Sequence, residues 1–253
     1  MNDEELEQIG LDAVDRFITT FNSRDAGLWA DSLNFPHVRP TPGMDTRVIP
    51  DPETYINGFD YQRIIDTGWD HSEWDYKQCL HVSDDKIHVA GQWSRYNKAG
   101  DKILTTPITY IVTCIDGKWG IQSRFAADYV DDDNSGETER PAFKVVEAFV
   151  QGYNAGNMKS CATLLNYPHV EINPGIVTSL ETASDFSMQG LGQMQLDSLI
   201  AIQTGNRSVN LAIETTLTND DGMADTYQGI IQVTQSDERP GINAWSFIEK
   251  NTN

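Results

Sequence analysis

The chain has 253 residues, a length that suits one large domain or two small ones. Hydrophobic residues make up 39% and charged residues 22%, which is the composition of an ordinary globular protein. Its 38 acidic and 18 basic residues give a formal net charge of −20, and because so negative a surface repels phosphate backbones and anionic lipid, we exclude nucleic acid and membrane as main partners.

Three helices are predicted at the start of the chain. Apolar residues at three- and four-residue spacing predict an amphipathic helix over about residues 3–22. Asp25 is suited to cap a second helix, which we expect to end near Leu33 because a proline that follows disfavours further helix. Asp51 is suited to cap a third helix that continues to about Thr67.

The rest of the first half predicts β-strands rich in Val, Ile, Thr, Tyr and Trp. They lie near residues 72–82, 85–97, 102–115 and 117–126. The Asp116-Gly117 pair between the last two is a strong hairpin signal. Each half of the chain is therefore predicted to place helices before a curled antiparallel sheet.

An internal repeat organises the whole chain. The segment Asn34–Val38 recurs as Asn166–Val170, 132 positions further along, and many neighbouring residues match at the same shift. Later the shift shortens, and we take Trp119 to correspond to Trp245. These matches predict a tandem duplication.

The duplication predicts two domains, residues 1–128 and 141–253, joined by an acidic linker of residues 129–140. Pro141 is suited to the first turn of the helix that follows the linker.

Other sequence features bear on whether the protein has a cofactor and on its cellular compartment. The five histidines show no HxxxH or HxH spacing and no nucleotide-binding motif occurs, so we expect no metal and no cofactor. Three cysteines without a CxxC pair favour reduced thiols, and the acidic N-terminus does not suit a signal peptide, so we expect a cytoplasmic protein.

The order of elements resembles the nuclear transport factor 2-like superfamily, also called the cystatin-like cone. The segments Leu33–Arg39 and Trp119–Ala126 look like the helix-to-strand junction and a later strand of one bacterial branch. The resemblance implies an α+β fold with two tandem cone-shaped units, each with three N-terminal helices packed on a curved antiparallel sheet. Because the superfamily includes isomerases, cyclases and epoxide hydrolases, it implies a cavity but no single activity.

The resemblance also implies partners. Superfamily members usually pair through their convex sheet faces, so we expect the two copies to pair within the chain, and a further homodimer stays open. The expected ligand is a small molecule.

Side chains that project into the cavity mouth in the superfamily correspond here to His37 and Arg39 in the first copy, and to His169 and Glu171 in the second. Residues two apart on a strand share a face. His37 suits proton transfer near neutral pH, and Arg39 suits the stabilisation of an anion. Alternatively, the repeated segment is structural, with the histidine bonded to carbonyl groups and Asn34 closing a helix end.

A polar and aromatic set extends along the later strands of the first copy. Trp93 and Arg95 share one strand face, while Tyr110 and Arg124 lie on the next two strands. If the sheet curls as the resemblance implies, Arg95, Tyr110 and Arg124 converge toward His37 and favour a ligand with a carboxylate or phosphate. The alternative is a set of cross-strand partners on a solvated face.

The second copy is expected to lack this set, because Arg95 aligns with Leu217 and Arg124 with Lys250. We therefore expect the working site in the first copy.

Three functions stay open. The chain is a pocket protein for an anionic or carbonyl-bearing metabolite, or an isomerase, dehydratase or cyclase, or a non-catalytic assembly domain. In the enzyme, His37 is the general base and Arg39, Tyr110 or Arg124 stabilises charge. No catalytic set of the superfamily transfers residue by residue, since ketosteroid isomerases have an aspartate base near the position of Arg39.

Overall fold

The structure, a computed structural model, describes residues 1–42, 46–128, 135–187, 192–236 and 239–250. These residues form two compact units, which consist mainly of residues 1–126 and 127–253. The predicted α+β class is confirmed, because each unit combines helices with one six-stranded sheet. No helix in the described ranges is both long and apolar enough to span a bilayer.

The described residues of the first unit form four helices and six strands. They are α1 (Asp3–Asn22), α2 (Ala26–Asp31), β1 (Leu33–Arg39), β2 (Arg47–Ile49), α3 (Pro52–Asn57), α4 (Tyr61–Ile65), β3 (Trp69–Val82), β4 (Lys86–Asn97), β5 (Lys102–Ile115) and β6 (Lys118–Ala126). The strand order is β2-β1-β6-β5-β4-β3. Strands β3 to β6 pair antiparallel as predicted, and the parallel pairing of β1 with β6, which the sequence did not predict, makes the sheet mixed.

The second unit repeats this topology, and fewer helices occur among its described residues. Its elements are α5 (Ser135–Asn154), α6 (Met158–Ala162), β7 (Leu165–Asn173), β8 (Ile176–Leu180), β9 (Gln193–Thr204), β10 (Ser208–Thr218), β11 (Ala224–Gln235) and β12 (Pro240–Glu249). The strand order is β8-β7-β12-β11-β10-β9, with β7 and β12 parallel. The same order in both sheets supports the predicted duplication.

The long helices pack their apolar faces on the sheets. Helix α1 has the predicted bounds, and it begins with a capping box in which Asn2 and Glu5 bond each other's backbone N–H groups. Helix α5 begins at Ser135, so Pro141 lies inside it and not in its first turn. The helix thus includes the end of the predicted linker, whose residues 129–134 lie outside the described ranges.

The predicted third helix differs in both units. In the first unit it is divided into α3 and α4, because Asp60 accepts a bond from the backbone of Gln62 and caps a new helix. In the second unit, residues 181–187 form turns, in which Asp185 accepts bonds from the backbone N–H groups of Glu181 and Thr182. The second unit is also shorter between its second and third strands, which leaves less chain for a helix there.

Candidate functional site

The repeated segment anchors β1 and β7 to their sheets in the same way. Asn34 donates to the Thr113 carbonyl oxygen at 2.7 Å, and Asn166 donates to that of Thr234 at 2.8 Å. Nδ1 of His37 lies 3.1 Å from the Ile121 carbonyl oxygen, and Nδ1 of His169 lies 3.1 Å from the Ile242 carbonyl oxygen. The segment therefore has a structural role, but it links strands and does not close the helix end as the alternative prediction proposed.

The pairing of strands within each sheet shows which residues correspond on the sides that face the helices. Tyr110 pairs with Arg124 in the first sheet, and Ile231 pairs with Trp245 in the second. The corresponding residues are Arg39 and Glu171, Trp93 and Thr215, Arg95 and Leu217, Tyr110 and Ile231, and Arg124 and Trp245.

Two predicted correspondences are therefore wrong. Trp119 corresponds to Pro240, not to Trp245, and Arg124 corresponds to Trp245, not to Lys250. A single shared tryptophan misled the alignment, because residue identity at one position is weaker evidence than the register of a whole strand.

His37 is buried and both of its ring nitrogens are engaged. Nδ1 donates to the Ile121 carbonyl, and Nε2 accepts a bond of 3.3 Å from Nε of Arg124, an assignment that this network dictates. Burial, and then the charges of Arg124 and Arg39, lower the pKa of His37 well below its usual 6.5. The imidazole is therefore neutral at pH 7 and orients Arg124.

Arg124 is held inside the first unit by polar and aromatic contacts. Its side chain is only 7% exposed, and Nη2 donates to the Tyr55 hydroxyl at 3.2 Å. The guanidinium carbon lies 5.0 Å from the ring centre of Phe17 and 5.7 Å from that of Trp29. Tyr55 was not among the predicted site residues, although an apolar stripe on its helix was the available signal.

Two further arginines lie near Arg124. Its charge, and then burial, lower the pKa of Arg39 to about 9, so Arg39 stays protonated at neutral pH. Burial, and then the charge of Arg124, lower the pKa of Arg95, whose guanidinium lies over the rings of Phe21 and Trp93. No aspartate or glutamate in the described ranges forms an ion pair with any of the three arginines.

Tyr110 and Trp93 complete the set predicted in the first copy. Both are buried, on β5 and β4, and the Tyr110 ring centre lies 5.5 Å from that of Phe17. Burial raises the pKa of Tyr110, so its hydroxyl keeps its proton. The structure thus places Arg95 and Tyr110 near Arg124, which in turn contacts His37.

The corresponding place in the second unit has different chemistry. Trp245 replaces the arginine, and its ring centre lies 4.3 Å from that of His169. Nε2 of His169 is buried and has no hydrogen-bond partner among the described residues. Burial lowers the pKa of His169 to about 4, so this histidine is also neutral at pH 7.

A cavity of about 510 Å³ lies between α5 and the sheet of the second unit. Its lining is mainly apolar and includes Phe149, Ile213, Ile231 and Trp245. The sequence predicted a cavity in each copy but expected the working site in the first, whereas this cavity lies in the second. The sequence signal for this space was the replacement of large residues of the first copy by smaller ones on β10 and β11.

Glu171 contributes to the lining of this cavity, whereas His169 does not. The two side chains predicted to point the same way therefore occupy different surroundings. Asp185 also lies at the cavity, and the described lining contains no lysine or arginine.

No family model matches the chain, and no curated protein matches it. Solved structures of NTF2-like and cystatin-like proteins, the group that the sequence resembles, match one half of it. An NTF2-like protein of unknown function from Shewanella oneidensis MR-1 is 15% identical, with a TM-score of 0.40, and the match covers 48% of this chain and 98% of that one. A cystatin-like protein from Caulobacter vibrioides is 11% identical, with a TM-score of 0.40, and coverage of 46% and 92%.

A third similar structure is Aln2 from a Streptomyces species. It is 14% identical, with a TM-score of 0.41, and the match covers 50% of this chain and 92% of that one. Each of these likenesses concerns the fold of about half the chain.

Proposed function

We propose that this protein binds a small organic anion, a carboxylate or phosphate ester, through Arg39, Arg95 and Arg124 of the first unit. The observation that supports this function is the grouping of three guanidinium groups without an acidic partner in the described part of the chain. The three positive charges repel one another, and partial burial removes water that would stabilise them. A bound anion compensates the positive charge and so offsets both costs. The chain as a whole has a charge of −20, so this positive cluster is a local exception.

The contacts of Arg124 suit it to the recognition of an anion. His37 and Tyr55 take up two of its N–H groups, and the Phe17 ring supports its plane. A guanidinium has five N–H donors, so further donors are available for a carboxylate or phosphate. An arginine that is already oriented loses little side-chain entropy when the ligand binds.

A carbonyl group on the same ligand is also compatible with this site. The Tyr110 hydroxyl stays protonated because burial raises its pKa, and it is a potential donor to a carbonyl oxygen. This supports the anionic or carbonyl-bearing metabolite predicted from the sequence.

We do not propose His37 as a general base. One of its nitrogens donates to Ile121, the other accepts from Arg124, and its lowered pKa makes it a weak base. Its contacts support the orientation of Arg124, and we propose ligand binding without assigning a reaction.

Calorimetric titration with succinate and with glycerol 3-phosphate tests this function, with the uncharged compounds succinamide and glycerol as matched controls. We expect binding of an anion and not of its uncharged counterpart. Arg39→Gln should weaken anion binding roughly ten- to a hundredfold, since a hydrogen bond to a charged group contributes about 1.5–3 kcal/mol.

Arg63→Gln is the matched control variant, because it removes the same charge from an exposed position on α4. It should leave the affinity unchanged. Equal weakening by Arg63→Gln and Arg39→Gln, or no heat with either anion, would contradict the proposal.

A further inference from the structure

We propose that the second unit contains a separate binding site for an uncharged, mainly apolar small molecule with a ring system. The site is the cavity of about 510 Å³ between α5 and strands β10, β11 and β12. This volume lies within the range of roughly 300–1,000 Å³ that is typical of small-molecule sites. It differs from the anion site in its unit, its lining and its ligand.

Smaller side chains explain why the second unit has this space. Thr215, Leu217 and Ile231 line the cavity at positions where the first unit has Trp93, Arg95 and Tyr110. An apolar ligand in this space gains contacts with the surrounding side chains and removes their apolar surface from water.

The shape of the lining favours a ring. Phe149 on α5 and Trp245 on β12 both line the cavity, and their ring centres lie 5.7 Å apart at an interplanar angle of 74°. The two rings thus pack edge to face in the lining, and their apolar surface suits contact with an aromatic or alicyclic ligand. Ile213 and Leu217 provide aliphatic contacts beside them.

The charges of the lining disfavour an anion. Glu171 and Asp185 are its two charged residues, and no basic residue occurs in the described lining. Glu171 stands at the position of Arg39, so the charge at this point is reversed between the units. A carboxylate or sulfonate ligand would be repelled here, whereas an uncharged one is not.

Fluorescence titration with N-phenyl-1-naphthylamine tests the site on the full chain. This uncharged probe has a phenyl and a naphthyl group joined by an amine. We expect saturable binding with one probe per chain. Thr215→Trp places the residue of the first unit in the cavity and should weaken binding at least tenfold. Ile200→Trp, at a side chain that is 57% exposed on β9, adds the same residue outside the cavity and should change binding less than twofold.

A charged probe of the same skeleton tests the charge argument. We expect 8-anilinonaphthalene-1-sulfonate to bind the second unit at least tenfold more weakly than the uncharged probe, and Glu171→Gln should reduce this difference. An equal affinity for the two probes at a site that Thr215→Trp blocks would overturn the preference for uncharged ligands.

A measurement on the unmodified chain makes the test independent of variant folding. Photolabelling with benzophenone, followed by peptide mapping, should place the label on the segments around Met194 and Trp245, which line the cavity. Labelling only elsewhere, absence of saturable probe binding, or unchanged binding by folded Thr215→Trp would overturn the site.

Discussion

The helix-facing side of the sheet is charged in the first unit and mainly apolar in the second, although the two sheets have the same strand order. Arg124 lies over the ring of Phe17, whereas Trp245 at the corresponding position meets the ring of Phe149 edge-on. The backbone pairing around both positions is the same. A duplicated fold thus keeps its scaffold while a few side chains on one face set the ligand chemistry.

What the units share is as informative as what separates them. His37 and His169 make the same hydrogen bond to a strand carbonyl. Asn34 and Asn166 donate hydrogen bonds to corresponding strands of their two sheets. Residues kept in both copies therefore serve the scaffold. The residues that differ between the copies are the better guide to function in this chain.

Exchange of one pair of residues between the units should have the largest effect. Tyr110 is fully buried, and its ring packs against Phe17 and Trp74, so Tyr110→Ile should lower the free energy of unfolding by about 3 kcal/mol. Ile231→Tyr enters existing space and should change it by less than about 1 kcal/mol. Chemical denaturation followed by circular dichroism measures both, and equal losses would refute the difference in packing.

The buried histidines should make the free energy of unfolding depend on pH. His169 has a folded-state pKa of about 4 and an unfolded value near 6.5, so between these values the unfolded chain binds a proton that the folded chain does not. Its contribution is complete above pH 6.5 and is lost as the pH falls, with a loss of up to about 3 kcal/mol at pH 4.

The variant His169→Asn tests this, because an amide N–H is able to replace the donor to Ile242 without titrating. Its free energy of unfolding should fall less steeply than that of the wild type between pH 7 and pH 4. A variant with the wild-type slope would show that His169 does not titrate in this way. His37, whose pKa is also lowered, should add to the remaining slope.

Removal of one arginine should change stability less than Tyr110→Ile or acid does, and in the opposite direction. Because Arg39 repels Arg124, Arg39→Gln should raise the free energy of unfolding of the ligand-free protein by about 1 kcal/mol, after allowance for screening at its partly exposed side chain. Thermal denaturation in low salt measures the change, with Arg63→Gln as the reference. A loss of stability would mean that the charge of Arg39 is already compensated.

Local features of the fold were predictable from the sequence. The bounds of α1 follow from its apolar spacing, and the Asp116-Gly117 turn follows from its residue types. The division of the third helix at Asp60 was not predicted, since continued apolar spacing concealed the second cap. The parallel pairing of β1 with β6 was also missed, because it joins segments far apart in the chain.

The candidate site was predictable as a set of residues but not as a set of contacts. Arg95, Tyr110 and Arg124 were placed together through a resemblance, and their strands do bring them together. The bond from Arg124 to His37, which leaves the histidine without a free nitrogen, follows only from the folded arrangement. The bond from Arg124 to Tyr55 likewise follows only from the folded arrangement.

The sequence alone determined that this chain is a duplicated α+β protein. Helix periodicity, hairpin turns and a repeated segment are all patterns of residues that are close together in the chain. Only the tertiary structure decided which side chains meet. Arg124 contacts His37 across 87 positions of chain, and Trp245 occupies the corresponding place in the second unit. The register of the strands decides which side chains come into contact, because a shift of one residue would turn every side chain of a strand to the other face.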